Sequence, residues 1–151
     1  MITTGESKRE YDAAATVEGK LHCVREAQPK WALTPVSERV SALRAALQYF
    51  ETNREAIAAD ITASMRKPLA QSRNELNGFF TRAEFLLNAA ESTLAPESLP
   101  EADGLLRRIE HVPLGVVFIF SAWNYPLMIS LNGVLAALLA GNTVLLKHAS
   151  L

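Results

Sequence analysis

Apolar residues return mostly every three, four or seven positions between Val36 and Ile61. This spacing places them on one face of a long amphipathic helix, and we predict that the helix ends near Met65. Thr34 and Pro35 supply its start signal, because Thr34 can cap the helix and Pro35 suits the first helical position.

Two further helices are predicted, one before and one after this helix. Mixed charge with scattered apolar positions predicts a helix from about Lys8 to Gln28, which Pro29 should end and a connector should follow. A third helix is expected from Pro68 to about Thr93. The sequence APESLPEADG comes next, and its prolines, acidic residues and glycine are typical of a surface loop.

The pattern changes from helical to strand-like near Leu105. The sequence LLRRIEHV alternates as a strand with one solvated face does, and VVFIF is apolar throughout, as a strand covered on both faces is. A helical pattern follows from Pro126 to Ala140, and TVLLK is a second short apolar strand. Strand, helix and strand form a βαβ unit, so we predict an α/β fold with helices preceding a parallel sheet.

Polar residues interrupt the apolar sequence just after the first strand of this unit. The sequence SAWNYPL carries Asn124 beyond the carboxyl end of that strand, and Lys147 closes the second strand. Ligands of parallel sheets bind at the carboxyl ends of the strands, so we expect Asn124 and Lys147 on one ligand-binding rim. The common dinucleotide motif G-x-G-x-x-G is absent from this loop.

Each candidate residue also has a purely structural interpretation. Asn124 would either cap the helix that follows or donate its amide to a developing oxyanion. Lys147 would be either a solvated strand end or a donor to ribose hydroxyls or a phosphate. Trp123 is expected to be a packing residue, His148 a surface residue and Cys23 an inert thiol that is buried or half-buried.

The composition narrows the class of protein. The 151 residues are 49% hydrophobic and 21% charged, which is typical of a folded globular protein. A formal net charge of −1 gives no basic excess, so no nucleic-acid partner is expected. One cysteine and three scattered histidines predict no metal site. The longest apolar segment is interrupted by proline, asparagine and glycine, so we expect no membrane span and a cytoplasmic location.

Three motifs in order, PLGVV, SAWNYPL and LLAGNTVLLK, resemble the corresponding segment of the aldehyde dehydrogenase superfamily. The helical part from about Ala13 resembles that family's opening helices, with RKP in place of the usual Gly-Lys-Pro link. The resemblance implies an amino-terminal helical segment at residues 1–104. It also implies that residues 105–151 form the first βαβ unit of a Rossmann-like NAD(P)-binding domain. This domain is incomplete relative to the family.

The resemblance implies oxidation of a small-molecule aldehyde to a carboxylic acid with NAD or NADP, in an enzyme that is a homo-oligomer when complete. In this family a cysteine thiolate attacks the aldehyde, hydride passes to the nicotinamide, and glutamate-assisted water hydrolyses the thioester. The resemblance gives Asn124 the role of oxyanion donor and Lys147 that of ribose contact. The loop residues that it implies line the cofactor cleft are Phe120, Ser121, Ala122 and Trp123.

Three features set this sequence apart within the family pattern. Ala122 stands where proline is usual, and Ser150 stands where a ribose-binding glutamate is frequent. The sequence LLKHAS resembles a branch that includes succinate-semialdehyde-type enzymes.

The family's nucleophilic cysteine and its base glutamate lie downstream of the segment that matches, and Cys23 does not match the nucleophile's motif. We therefore expect the amino-terminal part of such an enzyme, inactive as an isolated chain. The alternative is a complete, non-catalytic protein that pairs with full-length homologues.

Overall fold

The structure is a computed structural model that describes residues 16–149, so the predicted helix start at Lys8 and the candidate Ser150 lie outside the described residues. The helices are α1 (Val17–Leu33), α2 (Val36–Thr52), α3 (Arg54–Met65), α4 (Leu69–Leu94) and α5 (Pro126–Leu139). The strands are β1 (Glu97–Ala102), β2 (Leu105–Ile109), β3 (Val116–Phe120) and β4 (Thr143–Lys147). Helix α5 lies between β3 and β4 in the chain, and this arrangement confirms the predicted α/β class.

Helix α1 contains Pro29 and runs past it to Leu33, so the prediction that Pro29 ends the helix is wrong. Proline removes one backbone N–H and crowds the preceding turn, which usually ends a helix. Here the last turn is held by a tertiary contact, because the indole Nε1 of Trp31 donates a hydrogen bond of 2.9 Å to the Leu138 carbonyl. The predicted connector after Pro29 is therefore the final turn of α1.

The start of α2 differs by one position from the prediction. Pro35 is the N-cap residue, and its carbonyl accepts hydrogen bonds from the amides of Glu38 and Arg39. Thr34 does not cap α2, because its hydroxyl donates to the Lys30 carbonyl at 3.0 Å instead.

The single long helix predicted up to Met65 is two helices, which separate at Asn53. This residue has φ −102° and ψ 17°, and its side-chain amide donates to the Tyr49 carbonyl at 2.8 Å. Side-chain bonds of this kind compete with the helical hydrogen-bond ladder. The predicted end at Met65 is confirmed, and Arg66 follows it in the left-handed conformation with φ 53°.

The predicted third helix is confirmed as α4, but the predicted loop after it is wrong. Residues Glu97–Ala102 form β1, which pairs antiparallel with β2 in a hairpin. Asp103 and Gly104 both have positive φ, as a tight hairpin turn with the right-handed strand twist requires. Strand β2 is exposed along its whole length rather than on one face.

Strands β3 and β4 pair in parallel, in a register that matches Val116 with Thr143 and Phe120 with Lys147. Asn142 joins the end of α5 to the start of β3, because its Oδ1 accepts from the Gly115 amide at 3.0 Å and its Nδ2 donates to the Ala137 carbonyl at 3.2 Å. The predicted βαβ unit is confirmed.

A glycine is required where α5 turns into β4. Gly141 has φ +85°, and a Cβ added to it would lie 2.4 Å from Nη1 of Arg39. The Arg39 side chain is buried against this turn, and burial lowers the pKa of its guanidinium.

The parallel sheet of β3 and β4 lies between α1 and α5. The Thr143 hydroxyl donates to the Val24 carbonyl of α1, whereas the Ile119 side chain packs against Gly133 of α5. Because side chains alternate along a strand, Phe118 and Phe120 share the face of Thr143. These rings are 53% and 71% exposed, so the prediction that β3 is covered on both faces is wrong within residues 16–149.

The hydrophobic core lies between α2, α4 and α5. Its buried members come from α4 and α5: Phe79, Ala83, Leu87, Ala90, Leu131, Leu135 and Leu139. Apolar residues of α2 pack against this cluster, and the rings of Phe50 and Phe79 have centroids 5.0 Å apart. Among the residues that the structure describes, no helix combines the length and hydrophobicity needed to cross a membrane.

Trp31→Phe is expected to lower the free energy of unfolding by about 1 kcal/mol, because the Leu138 carbonyl loses its side-chain donor while an aromatic ring remains. Equilibrium unfolding in urea, followed by circular dichroism, measures the change. The matched control is Trp123→Phe, whose exposed ring makes a change within about 0.5 kcal/mol the expectation. Equal losses in the two variants would contradict the anchoring role of Trp31.

Candidate functional site

The loop between β3 and α5 begins at the carboxyl end of the parallel pair. The Ser121 amide donates to the Lys147 carbonyl at 3.1 Å, which extends the ladder one residue past Phe120. The start of the loop and the end of β4 therefore share one rim of the sheet, as the order of elements predicts.

Ser121 anchors the first residue of this loop. Its side chain is buried, and its Oγ lies 2.7 Å from Oγ of Ser130 in α5. The Ser130 hydroxyl donates its hydrogen to the Pro126 carbonyl at 2.6 Å, so the Ser121 hydroxyl is the donor to Ser130. The two hydroxyls bind the loop to the first turns of α5.

The four residues after Ser121 are exposed: Ala122, Trp123, Asn124 and Tyr125. Asn124 does not cap α5, because Tyr125 holds the N-cap position and makes no side-chain capping bond. Within residues 16–149 no hydrogen bond involves the Asn124 side chain, so its amide is available at the rim. The capping interpretation of Asn124 is therefore wrong.

A glutamate from α4 caps α5 instead. Oε1 of Glu75 accepts hydrogen bonds from the amides of Leu127 at 3.0 Å and Met128 at 3.4 Å. Oε2 of the same carboxylate pairs with the ammonium of Lys67, which also lies 4.9 Å from the centre of the Tyr125 ring. Sequence reasoning missed Glu75; the available signal was an acidic residue beside Leu76 on the apolar side of α4.

An open cavity of about 730 Å³ lies between α4 and this loop. Its lining includes Asn74, Glu75 and Gly78 of α4 together with Tyr125 and Met128.

Arg73 contributes positive charge to the lining of this cavity and hydrogen-bonds Glu55 at 2.7 Å. These hydrogen bonds lower the pKa of the Glu55 carboxyl.

The remaining candidates are Lys147, on the same rim, and two residues expected to have no role in the site, Cys23 and His148. Lys147 is exposed at the end of β4, and His148 is exposed just after it. Cys23 is exposed on α1, so the expectation that its thiol is buried or half-buried is wrong. In the described part of the chain, no group of three His, Cys, Asp or Glu residues is arranged to hold a metal ion.

Comparison with known proteins identifies relatives along almost the whole chain. A sequence model described as the aldehyde dehydrogenase family matches residues 7–151. The chain is 29% identical to the N-succinylglutamate 5-semialdehyde dehydrogenase of Photorhabdus laumondii, over 91% of this chain and 28% of that protein. It is 33% identical to a probable NADP(+) succinate-semialdehyde dehydrogenase of Synechocystis, over 97% of this chain and 33% of that protein.

Solved structures have the same fold over this segment. The TM-score is 0.83, at 26% identity, against an aldehyde dehydrogenase from Brucella melitensis biovar abortus, over 90% of this chain and 28% of that chain. It is 0.79, at 28% identity, against NADP-dependent glyceraldehyde-3-phosphate dehydrogenase from Bacillus halodurans complexed with NADP, over 94% and 29%. The chain thus spans 27–33% of the length of the first curated relatives that it matches.

Ser130→Ala is expected to lower the free energy of unfolding by about 1–3 kcal/mol, because the buried Ser121 hydroxyl loses its acceptor. Thermal and urea unfolding measure the loss. The control is Ser41→Ala, which removes an exposed hydroxyl bonded within its own helix and should change stability by less than about 0.5 kcal/mol. A loss no larger than the control's would mean that the hydroxyl pair does not hold the loop.

Proposed function

The chain belongs to the aldehyde dehydrogenase family, and we propose that it forms the amino-terminal part of an NAD(P)-dependent enzyme that oxidises an aldehyde to a carboxylic acid. The observation that carries this proposal is the side-chain amide of Asn124, which is exposed in the loop after β3 and does not cap α5. The family match over residues 7–151 and the structural likeness to aldehyde dehydrogenases support it.

Asn124 serves as a donor to the oxygen of the reacting aldehyde. A neutral amide carries no charge of its own, so it stabilises negative charge that develops on a carbonyl oxygen without attracting a counter-ion. A rigid donor of this kind contributes about 2.7–4 kcal/mol to transition-state stabilisation. The rigidity comes from the buried Ser121 on one side and the first turn of α5 on the other.

The rim also fits a dinucleotide. Lys147 offers an ammonium at the end of β4 for the ribose hydroxyls, and Phe120 and Trp123 expose aromatic surface on the same rim. Ser121 contributes through its backbone carbonyl, because its hydroxyl is committed to Ser130 and its amide to the Lys147 carbonyl. The cofactor, when bound, accepts the hydride that leaves the substrate.

Either NAD or NADP suits these residues. The residues proposed to hold the cofactor are Phe120, Ser121, Ala122, Trp123, Lys147 and Ser150. Ser150 stands where an acidic side chain would repel a 2′-phosphate, so NADP is accommodated there. The names of the Synechocystis and Bacillus relatives include NADP, which supports this cofactor without excluding NAD.

The proposed domain division places residues 1–104 in a helical segment and residues 105–151 at the start of the cofactor domain. The βαβ unit of β3, α5 and β4 lies in the second part, which supports the division. Strand β2 belongs to the same part by position and pairs back to β1, so the hairpin spans the division.

The proposal names the class of the substrate, an aldehyde, and not the individual compound. Relatives of 28–33% identity are named for two semialdehydes and for vanillin, and these differ in charge and shape. The enzyme is proposed to act as a homo-oligomer.

An assay of aldehyde-dependent NAD(P)H absorbance tests the proposal. The 151-residue chain is expected to show no turnover, because Cys23 does not match the family's nucleophile. The protein expressed with the coding sequence that follows codon 151 is expected to be active. In that protein Asn124→Ala should lower kcat about 100- to 1,000-fold.

Asn88→Ala is the matched control, since it removes an exposed amide on α4 and should leave kcat within about twofold. Turnover by the 151-residue chain that Asn124→Ala abolishes would contradict the account of the nucleophile. A coding sequence that ends without a cysteine motif would instead support a non-catalytic protein that pairs with full-length homologues.

A further inference from the structure

We infer that Glu75 and Lys67 are positioning residues, which hold the oxyanion donor Asn124 in place through the first turn of α5. The inference rests on the function proposed above for Asn124. It concerns two residues of the helical segment, neither of which belongs to the loop that carries the amide.

The first step is the hydrogen bonding of the start of α5. The first amides of a helix have no acceptor within the helix and need one from outside. Neither Asn124 nor Tyr125 supplies it, whereas Oε1 of Glu75 accepts from Leu127 and Met128. A carboxylate also interacts favourably with the positive end of the helix dipole.

The second step is the burial of this carboxylate. The Glu75 side chain is 0% exposed and the Lys67 side chain is 14% exposed. A buried carboxylate destabilises the fold unless it is paired and hydrogen-bonded. Both oxygens of Glu75 are used, one by the α5 amides and the other by Lys67, so the carboxylate has a single orientation.

The third step links Lys67 to the loop. Lys67 follows the left-handed Arg66 in the connection between α3 and α4, and its ammonium lies 4.9 Å from the centre of the Tyr125 ring. Tyr125 is the residue next to Asn124. The cation therefore contacts the carboxylate that caps α5 and the ring that precedes α5.

Asn124 thus lies between two fixed points. Ser121 is held by the Ser130 hydroxyl, and Leu127 is held by Glu75. Ala122 to Tyr125 are exposed and only Pro126 is buried, so the path of this short segment depends on both anchors. An apolar residue at position 75 would fill the same space but leave two helix amides without an acceptor.

The test is nuclear magnetic resonance on the 151-residue chain carrying Glu75→Gln, which keeps the side-chain volume and removes the charge. The amides of Leu127 and Met128 should exchange with solvent at least about tenfold faster. The backbone order parameter of Asn124 should fall from about 0.85 to below about 0.6. Glu91→Gln, an exposed substitution on the same helix, should change neither quantity.

Two further variants keep the test decisive. Lys67→Met keeps the side-chain stem and removes the cation, and it should have the same effects at smaller amplitude even where Glu75→Gln fails to fold. Glu75→Asp keeps the charge on a shorter side chain and should restore part of the protection. Unchanged exchange and order at Asn124 in both Glu75→Gln and Lys67→Met would overturn the inference.

An activity readout separates positioning from plain stabilisation. In the protein expressed with the coding sequence that follows codon 151, Glu75→Gln should lower kcat about 10- to 100-fold at a temperature where the variant is folded. The KM for NAD(P) should stay within about twofold of the unsubstituted protein's value. A loss of thermal stability with unchanged kcat and unchanged order at Asn124 would show a merely structural role and overturn the inference. Loosened Asn124 together with a kcat that Asn124→Ala does not alter would support the positioning and refute the proposed role of Asn124.

Discussion

Packing of α5 against α4 fixes the position of the βαβ unit in the part of the chain that the structure describes. Leu131, Leu135 and Leu139 of α5 are buried against Phe79 and neighbouring α4 residues. The same helix connects β3 to β4, so its position sets where β3 ends and where β4 begins. The rim that carries Asn124 and Lys147 is therefore built on a helix–helix contact made by apolar side chains.

Apolar packing alone would leave α5 free to rotate or slide, because hydrophobic burial has little directionality. Polar contacts at its two ends supply the direction. Glu75 binds the first turn, and Asn142 connects the last turn to the start of β3. Each of these groups is buried and paired, so a shift of the helix would leave polar atoms without partners, at a cost of about 1–3 kcal/mol each.

The parts of the fold that the sequence predicts well are those set by local pattern. Helix α4, helix α5 and the two parallel strands follow from periodicity, and the rim follows from chain order. The break at Asn53 was missed because apolar spacing continues across it. The continuation past Pro29 depends on Trp31 contacting a residue 107 positions away, which no local pattern contains.

The candidate site divides in the same way. Asn124 and Lys147 stand out because each follows a strand of the unit that brings them together. Glu75 acts on Leu127, 52 residues further along the chain, so its role is visible only in three dimensions. Strand β1 was missed although Asp103 and Gly104 carried a hairpin signal, because proline, serine and two glutamates make up most of its sequence ESLPEA, and these residues are uncommon in strands.

The glycine turn at the end of α5 has a consequence for which side of the sheet each residue occupies. Gly141 fits only because it lacks a side chain beside Arg39, and Asn142 ties the next position to β3, so β4 begins at a fixed residue. A strand exposes alternate residues on opposite sides, and a displacement by one residue exchanges the two sides completely. The turn therefore determines which residue of β4 faces each side of the sheet, and it places Lys147 on the side of Phe120 rather than on that of Ile119.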